Sequence, residues 1–338
     1  YQVMRMLTND PAAVDIGAVY LKIISVSYLM SAVIFAFSFF LKSMEKPKYP
    51  LITSLVSIAV NFCINYTLIF GKFGFPALGV KGAAIGTVCA RMVEMLLIVF
   101  LSFHSISFLR HKIGEYLSIN REFIGRYLKT SVPVIGNEGF WALGVTVMSA
   151  IYARVSTDAI AAINIVNLIS DAASVFIFGA SNAAAIIVGK QIGLKRVKRA
   201  YLYASRFSRL APLLGVLFGL FAVGTAPWFI HCFAITDELS ATAFRLTVIM
   251  ACFMPFKTFT LVNIVGVLRS GGDTVFCFWT DFAGIWLIGV PFTAISGLLL
   301  GCPIEIVYPL SLCEEFVKSF IIIRRLKKGG WITDLVNE

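Results

Sequence analysis

The chain has 338 residues, of which 59% are hydrophobic and only 14% charged, with a formal net charge of +11 and a mean hydropathy of +0.87. A water-soluble domain of this length carries more charge and less apolar surface, so the composition excludes one and asks for a bilayer as solvent. Seven cysteines without a CxxC pair and three histidines in or near loops argue against a disulfide framework, structural zinc, haem and an intramembrane metalloprotease.

Residues 1–15, YQVMRMLTNDPAAVD, are too short and too polar for a signal peptide or a span and lack an initiator Met. The chain is therefore expected to begin partway along a longer protein. Apolar runs of roughly 20 residues, long enough to cross the hydrocarbon core as helices, then recur at 20–41, 50–71, 79–103, 127–153, 158–189, 207–230, 242–268, 274–300 and 304–325. This reading gives nine spans.

Loop charge alternates along these spans. Lys42, Lys46 and Lys48 follow the first, Arg110, Lys112, Arg121, Arg126 and Lys129 the third, and a run from Lys190 to Arg209 the fifth. Arg269 follows the seventh, and Lys318, Arg324, Arg325, Lys327 and Lys328 close the chain, whereas the opposite side holds few cations. Short loops rich in Lys and Arg stay cytoplasmic, which predicts a cytoplasmic C-terminus in a plasma-membrane protein. The basic excess is thereby assigned to topology, and no nucleic-acid partner is expected. The connection 112–130, KIGEYLSINREFIGRYLKT, sets apolar residues at helical spacing among basic ones, as in a helix lying on the inner leaflet.

An internal repeat is also visible. Leu41-Lys42-Ser43 and Leu268-Arg269-Ser270 each close a span before a tight polar turn. The offset that carries Lys42 onto Arg269 also carries Arg91 onto Lys318. Each of the latter cations has an acidic neighbour a helical turn away, Glu94 for Arg91 and Glu314 and Glu315 for Lys318. Two halves related by a parallel repeat suggest a transporter with its site between them. The expected fold is an all-α polytopic membrane protein, a two-lobe helical bundle with an internal pseudo-two-fold repeat. Its parts are a partial N-terminal lobe (1–103), a cytoplasmic amphipathic linker (104–130), a C-terminal lobe (131–328) and a cytoplasmic tail (329–338).

Three stretches carry a more specific resemblance: NFCINYTLIFGKFGFPALGVKGAAIGT (61–87), VGVLRSGGDTVF followed by Asp281 and WLIGVP, and PVIGNEGFWALG with Ala161-Ala162-Ile163-Asn164 and the later VGKQIG. Together they resemble the multidrug and toxic compound extrusion (MATE) family over nearly the whole chain. The resemblance implies twelve helices in two lobes, of which these nine would be the fourth to twelfth, and export of organic cations against inward Na⁺ or H⁺. It also implies a C-lobe cation site with an acidic residue on the seventh helix, where Glu138 stands, and an aspartate on the tenth. The corresponding stretch here carries Lys257 and Asn263 instead, with Asp281 one helix later.

Polar residues inside the spans are read either as interhelical hydrogen bonds or, where they form stripes with a carboxylate, as the wall of a wet cavity. Ser54, Ser57, Asn61 and Asn65 fall on one helix face, as do Asn164, Asn167, Asp171 and Ser174. Glu138, Asp171, Lys257 and Asp281 read as isolated intramembrane charges, which are costly and functional by default. Asn137, beside Glu138, joins them. Three carboxylates and one ammonium give a field that favours cations, and a carboxylate that exchanges a proton, a Na⁺ or a substrate amine couples one flux to another. Glu94, Glu314 and Glu315 read as structural pairs, and Ser270-x-x-Asp273 as a capping box. No catalytic set, no cofactor beyond a coupling H⁺ or Na⁺ (the latter at Glu138) and no further metal is predicted. The expected partners are small organic cations and the lipid bilayer, with the protein a monomer. The alternatives are a flippase of a lipid-linked saccharide or headgroup, or an inactive truncated fragment.

Overall fold

The computed structural model describes residues 11–106, 121–233 and 235–332. Among them lie nine long helices: α1 (Pro11–Ser43), α2 (Lys48–Phe70), α3 (Val80–Ser105), α4 (Arg121–Val155), α5 (Thr157–Gly193), α6 (Val197–His231), α7 (Asp237–Leu268), α8 (Thr274–Leu299) and α9 (Ile304–Lys328). The described residues hold no strand, only one isolated bridge between Gly272 and Ile332. Eight of the nine helices are long and apolar enough to cross a membrane. The ninth predicted span, α9, has the length at 25 residues but falls short in apolarity, because Glu314, Glu315, Lys318 and four cations near its end dilute it. The chain is a multi-pass helical membrane protein.

Two compact units divide the chain, Tyr1–Ile119 and Asn120–Glu338. Residues 107–120, most of the predicted surface linker, lie outside the described residues, as do 1–10 and 333–338. Residues 121–130 run unbroken into α4.

In the first unit α3 packs against both α1 and α2. Ile34, Leu41, Ile98 and Ile106 form its apolar core. Close approach of α2 and α3 depends on small residues, since a Cβ on Gly82 would lie 2.8 Å from the Leu68 carbonyl carbon. Ser57 donates to the Ala90 carbonyl (3.1 Å) and Ser54 to Glu94 Oε1 (2.8 Å). The first polar stripe is thus largely an interhelical seam. Gly71, at φ +65°, stops α2 in the left-handed conformation that glycine adopts without strain.

In the second unit α5 is the central helix, half of its apolar window being buried. Ser156 caps its start, accepting from the Ala159 N–H at 2.9 Å. Helix α6 lies on α7 along a stripe of small buried residues that includes Ala211, Gly215, Gly219 and Ala222. A Cβ on Gly215 would come 2.5 Å from Pro255 Cα, so α6 touches α7 at its proline. Helix α7 turns π-helical over Val262–Leu268, and α8 does so over Gly284–Gly289 and Ile295–Leu299. Such wide turns re-aim side chains and recur at functional sites. Gly284 lies in one, directly under Lys318, whose Cδ would be 2.7 Å from a Cβ there.

The repeat is carried by the helices as well as by the motifs. The offset that relates Lys42 to Arg269 also brings the ranges of α1, α2 and α3 onto those of α7, α8 and α9, with only small differences at their ends. Ser54 on α2 reaches Glu94 on α3. Asp281 on α8, the repeat equivalent of Ser54, reaches Lys318 on α9.

Candidate functional site

Five helices of the second unit wall two cavities of about 330 Å³ and 210 Å³ that share Trp141, Asp171, Lys257 and Glu315. Helix α4 reaches α8 closely because Gly136 and Gly144 leave room, a Cβ on Gly144 meeting Ile285 Cγ2 at 2.1 Å. That approach lets Asn137 donate to Asp281 Oδ2 at 2.9 Å and to the Cys277 carbonyl at 3.3 Å. Phe140, Phe278, Phe282 and Trp286 close the same seam with edge-to-face ring contacts.

A chain of polar contacts then runs across α4, α7, α8 and α9. Arg269 donates to Glu138 Oε1 at 2.8 Å and to Asn137 Oδ1 at 2.7 Å, and Asn137 passes to Asp281. Lys318 stands 3.7 Å from Asp281 Oδ1, 3.8 Å from Glu314 Oε2 and 3.0 Å from Glu315 Oε1, with only 3% of its side chain exposed. Thr260 donates to the other Glu315 oxygen. One buried ammonium therefore faces three carboxylates, an arrangement in which every partner depends on the others for compensation.

Opposite this network, Lys257 donates to Ser170 Oγ at 2.9 Å. Asp171 lines both cavities and makes no hydrogen bond or ion pair among the described residues. Counted over both cavities, Glu138, Asp171, Asp281, Glu314 and Glu315 stand against Lys257, Arg269 and Lys318. The balance is negative, as the isolated charges suggested, but three cations take part where one was expected. Among the described residues no cluster of three or more His, Cys, Asp or Glu is placed to hold a metal ion.

The structure brings Glu138, Asn137, Asp171, Asn167, Lys257 and Asp281 to these cavities and leaves four candidates elsewhere. Asn263 is fully buried, bonded to Ser208 and to the Phe259 carbonyl, and lines neither cavity. Asn164 is exposed on α5 and also lines neither. Asn61 and Asn65 belong to the first unit and bond to each other at 2.9 Å.

Two sequence readings are corrected. Glu138 is not an isolated buried charge: its side chain is 59% exposed and pairs with Arg269. That partner sits at the end of α7, far along the chain and invisible to a search within one helical turn. Asp273 does not complete a capping box, because its carboxylate is taken by Arg325 at 2.7 Å while Ser270 bonds back to Gly266 and Val267. The site residues that the sequence does not single out are Arg269, which it marks only by topology and repeat, and the Glu314, Glu315 and Lys318 cluster, which it marks as local pairing. The offset that maps Arg91 onto Lys318 was the available signal.

A bundle of apolar helices with a charged internal cavity places the chain among multi-pass membrane proteins of the transporter class. The profile of the MatE family matches residues 1–67 and 133–295, and the chain belongs to that family. It is 24% identical to the uncharacterized transporter YisQ of Bacillus subtilis over 336 residues, covering 97% of this chain and 72% of YisQ. It is 26% identical to the probable multidrug resistance protein NorM of the same organism, covering 75% of this chain and 56% of NorM. The chain thus spans little more than half the length of that relative. Among solved structures, a MATE transporter of Vibrio cholerae, VcmN, aligns with a TM-score of 0.84 at 14% identity, covering 99% of this chain and 74% of VcmN. A MOP superfamily transporter from Pyrococcus furiosus, described as having a binding pocket of reverse polarity, aligns with a TM-score of 0.82 at 14% identity, covering 97% of this chain and 72% of that one. These likenesses give the fold, that of two-lobed MATE transporters.

Proposed function

We propose that the chain is part of a secondary antiporter that exports organic cations in exchange for H⁺ or Na⁺ by alternating access of its two lobes. The observation that carries this reading is the net negative pair of cavities, in which Asp171 lines both spaces and, among the described residues, makes no hydrogen bond or ion pair. A carboxylate open to both cavities, where acids outnumber bases, binds a cation, and occupancy by one cation excludes another. Asp171 is then the exchange residue, and Glu138, Asp281, Glu314 and Glu315, held by Arg269 and Lys318, set the field around it. Asn167 orients the cargo, and Asn137 holds Asp281 and Arg269 in place. The multidrug resistance name of NorM supports the substrate class. The cytoplasmic C-terminus follows from the basic loops, and the protein works as a monomer.

A second reading has its own observation. Lys257, Arg269 and Lys318 line the smaller cavity and suit an anionic headgroup, as in a flippase of a lipid-linked saccharide. Efflux of a fluorescent lipophilic cation from pump-deficient cells expressing the full-length gene decides between them. Export that is lost in Asp171→Asn and reduced in Glu138→Gln, at equal membrane abundance, is expected from the antiporter. Absence of export across several cations, with transbilayer movement of an anionic lipid analogue, overturns it in favour of the flippase.

A further inference from the structure

A third cavity of about 370 Å³ lies in the second unit and shares no residue with the charged pair. It sits between the first turns of α6 and the end of α9. Tyr201, Ser205, Ser208 and Arg209 stand at i, i+4, i+7 and i+8 on one face of α6, and Lys327 joins them from α9. The chain beyond α9 folds back as a strap that closes one wall. Gly329 and Gly330, at φ +73° and +70°, make the turn, and Trp331 is buried, with 1% relative exposure. Its ring lies across Gly271, where a Cβ would meet it at 2.5 Å, and edge-on to Tyr201 at 5.2 Å between centroids. Tyr201 accepts from the Gly330 N–H, and Ile332 bridges to Gly272.

Two features of this cavity ask for an anion. Arg209 and Lys327 are exposed and form no ion pair among the described residues, and no carboxylate lines the space. Ser205 offers a further hydroxyl, whereas the Ser208 hydroxyl is already spent on Asn263. The remaining wall is apolar, with Phe259, Ile323 and Leu326, as needed where a headgroup passes into its acyl chains. Both helices here carry the basic clusters assigned to the cytoplasmic leaflet, and basic pockets between spans on that side take anionic headgroups.

We infer that this cavity binds the phosphate of an anionic phospholipid, held by Arg209, Lys327 and Ser205. The site lies outside the transport cavities and rests on the assignment of the basic loops to the cytoplasmic leaflet, not on antiport. Bound there, the lipid ties α6 and α9 to the strap that holds the α7–α8 turn.

Native mass spectrometry of the delipidated full-length protein tests it, with phosphatidylglycerol and phosphatidylcholine as competing probes. The intact protein is expected to retain phosphatidylglycerol preferentially. Arg209→Gln with Lys327→Gln is expected to lower that preference by roughly 5- to 30-fold, from about 1 kcal/mol per cation near an anionic surface. Lys195→Gln with Lys198→Gln removes equal charge outside the cavity and is expected to keep it. Equal loss in the two double variants overturns the site in favour of diffuse surface charge. Displacement of the lipid by inorganic phosphate at equal concentration overturns the lipid as occupant and assigns a soluble phosphate instead.

Discussion

Replacing Lys318 by Met keeps the length of the side chain and removes the single ammonium among Asp281, Glu314 and Glu315. The structure sets the scale. Lys318 is 3% exposed, its partners lie 3.0–3.8 Å away, and their side chains are 9–13% exposed, so no water replaces the lost charge. Removing one member of a buried ion pair costs about 3–5 kcal/mol, and three uncompensated carboxylates place this case at the upper end. At about 2 °C per kcal/mol, the low end for a chain of this size, the midpoint of heat-induced aggregation in detergent is expected to fall by roughly 6–10 °C. Because such unfolding is commonly irreversible, variants are compared at one heating rate. Adding Glu314→Gln and Glu315→Gln to Lys318→Met removes the stranded charges with the cation and is expected to recover more than half of the loss. A drop of under about 2 °C in the single variant, or no recovery in the triple, refutes the reasoning that these charges depend on one another.

Arg91→Met, the equivalent change in the first unit, is expected to cost less, about 1–2 kcal/mol, because Arg91 is 45% exposed and Ser54 still donates to Glu94; the same heating assay compares the two. Gly215→Ala drives a Cβ against Pro255 backbone atoms at 2.5–2.8 Å and is expected to cost about 1–3 kcal/mol. Gly224→Ala on the same helix meets nothing within 4 Å and is expected to stabilise by up to about 1 kcal/mol; equal midpoints for these two variants contradict the packing described. Ser156→Ala removes the cap on α5 and is expected to cost about 0.5–2 kcal/mol, read as a lower midpoint with unchanged abundance in the membrane.

The helices were legible because a bilayer-spanning segment must be apolar along its whole length, a signal that averages over many residues and tolerates local exceptions. The α7–α9 repeat of α1–α3 was legible for the same reason, with Leu41-Lys42-Ser43 and Leu268-Arg269-Ser270 as its markers. Of the second polar stripe, Asn167, Asp171 and Ser174 line the cavities and Asn164 does not; helical spacing fixes which residues share a face. What spacing cannot fix is the partner across a helix interface. Glu138 meets Arg269 and Asp273 meets Arg325 only after α4, α7, α8 and α9 have packed. Asn263 has the composition of a cavity residue but lies in a π-helical turn that faces α6. Apolarity does not single out α9, whose Lys318 meets Asp281, Glu314 and Glu315 inside the bundle.

The central claim is that Asp171 exchanges one cation for another within the charged cavities. Reconstituting the full-length protein in liposomes and imposing a Na⁺ or H⁺ gradient tests it most directly, with uptake of a fluorescent organic cation as readout. The account predicts gradient-driven uptake by the intact protein and its loss in Asp171→Asn, with the heat-aggregation midpoint little changed because Asp171 makes no hydrogen bond or ion pair among the described residues. Uptake that persists at the intact rate in Asp171→Asn contradicts it.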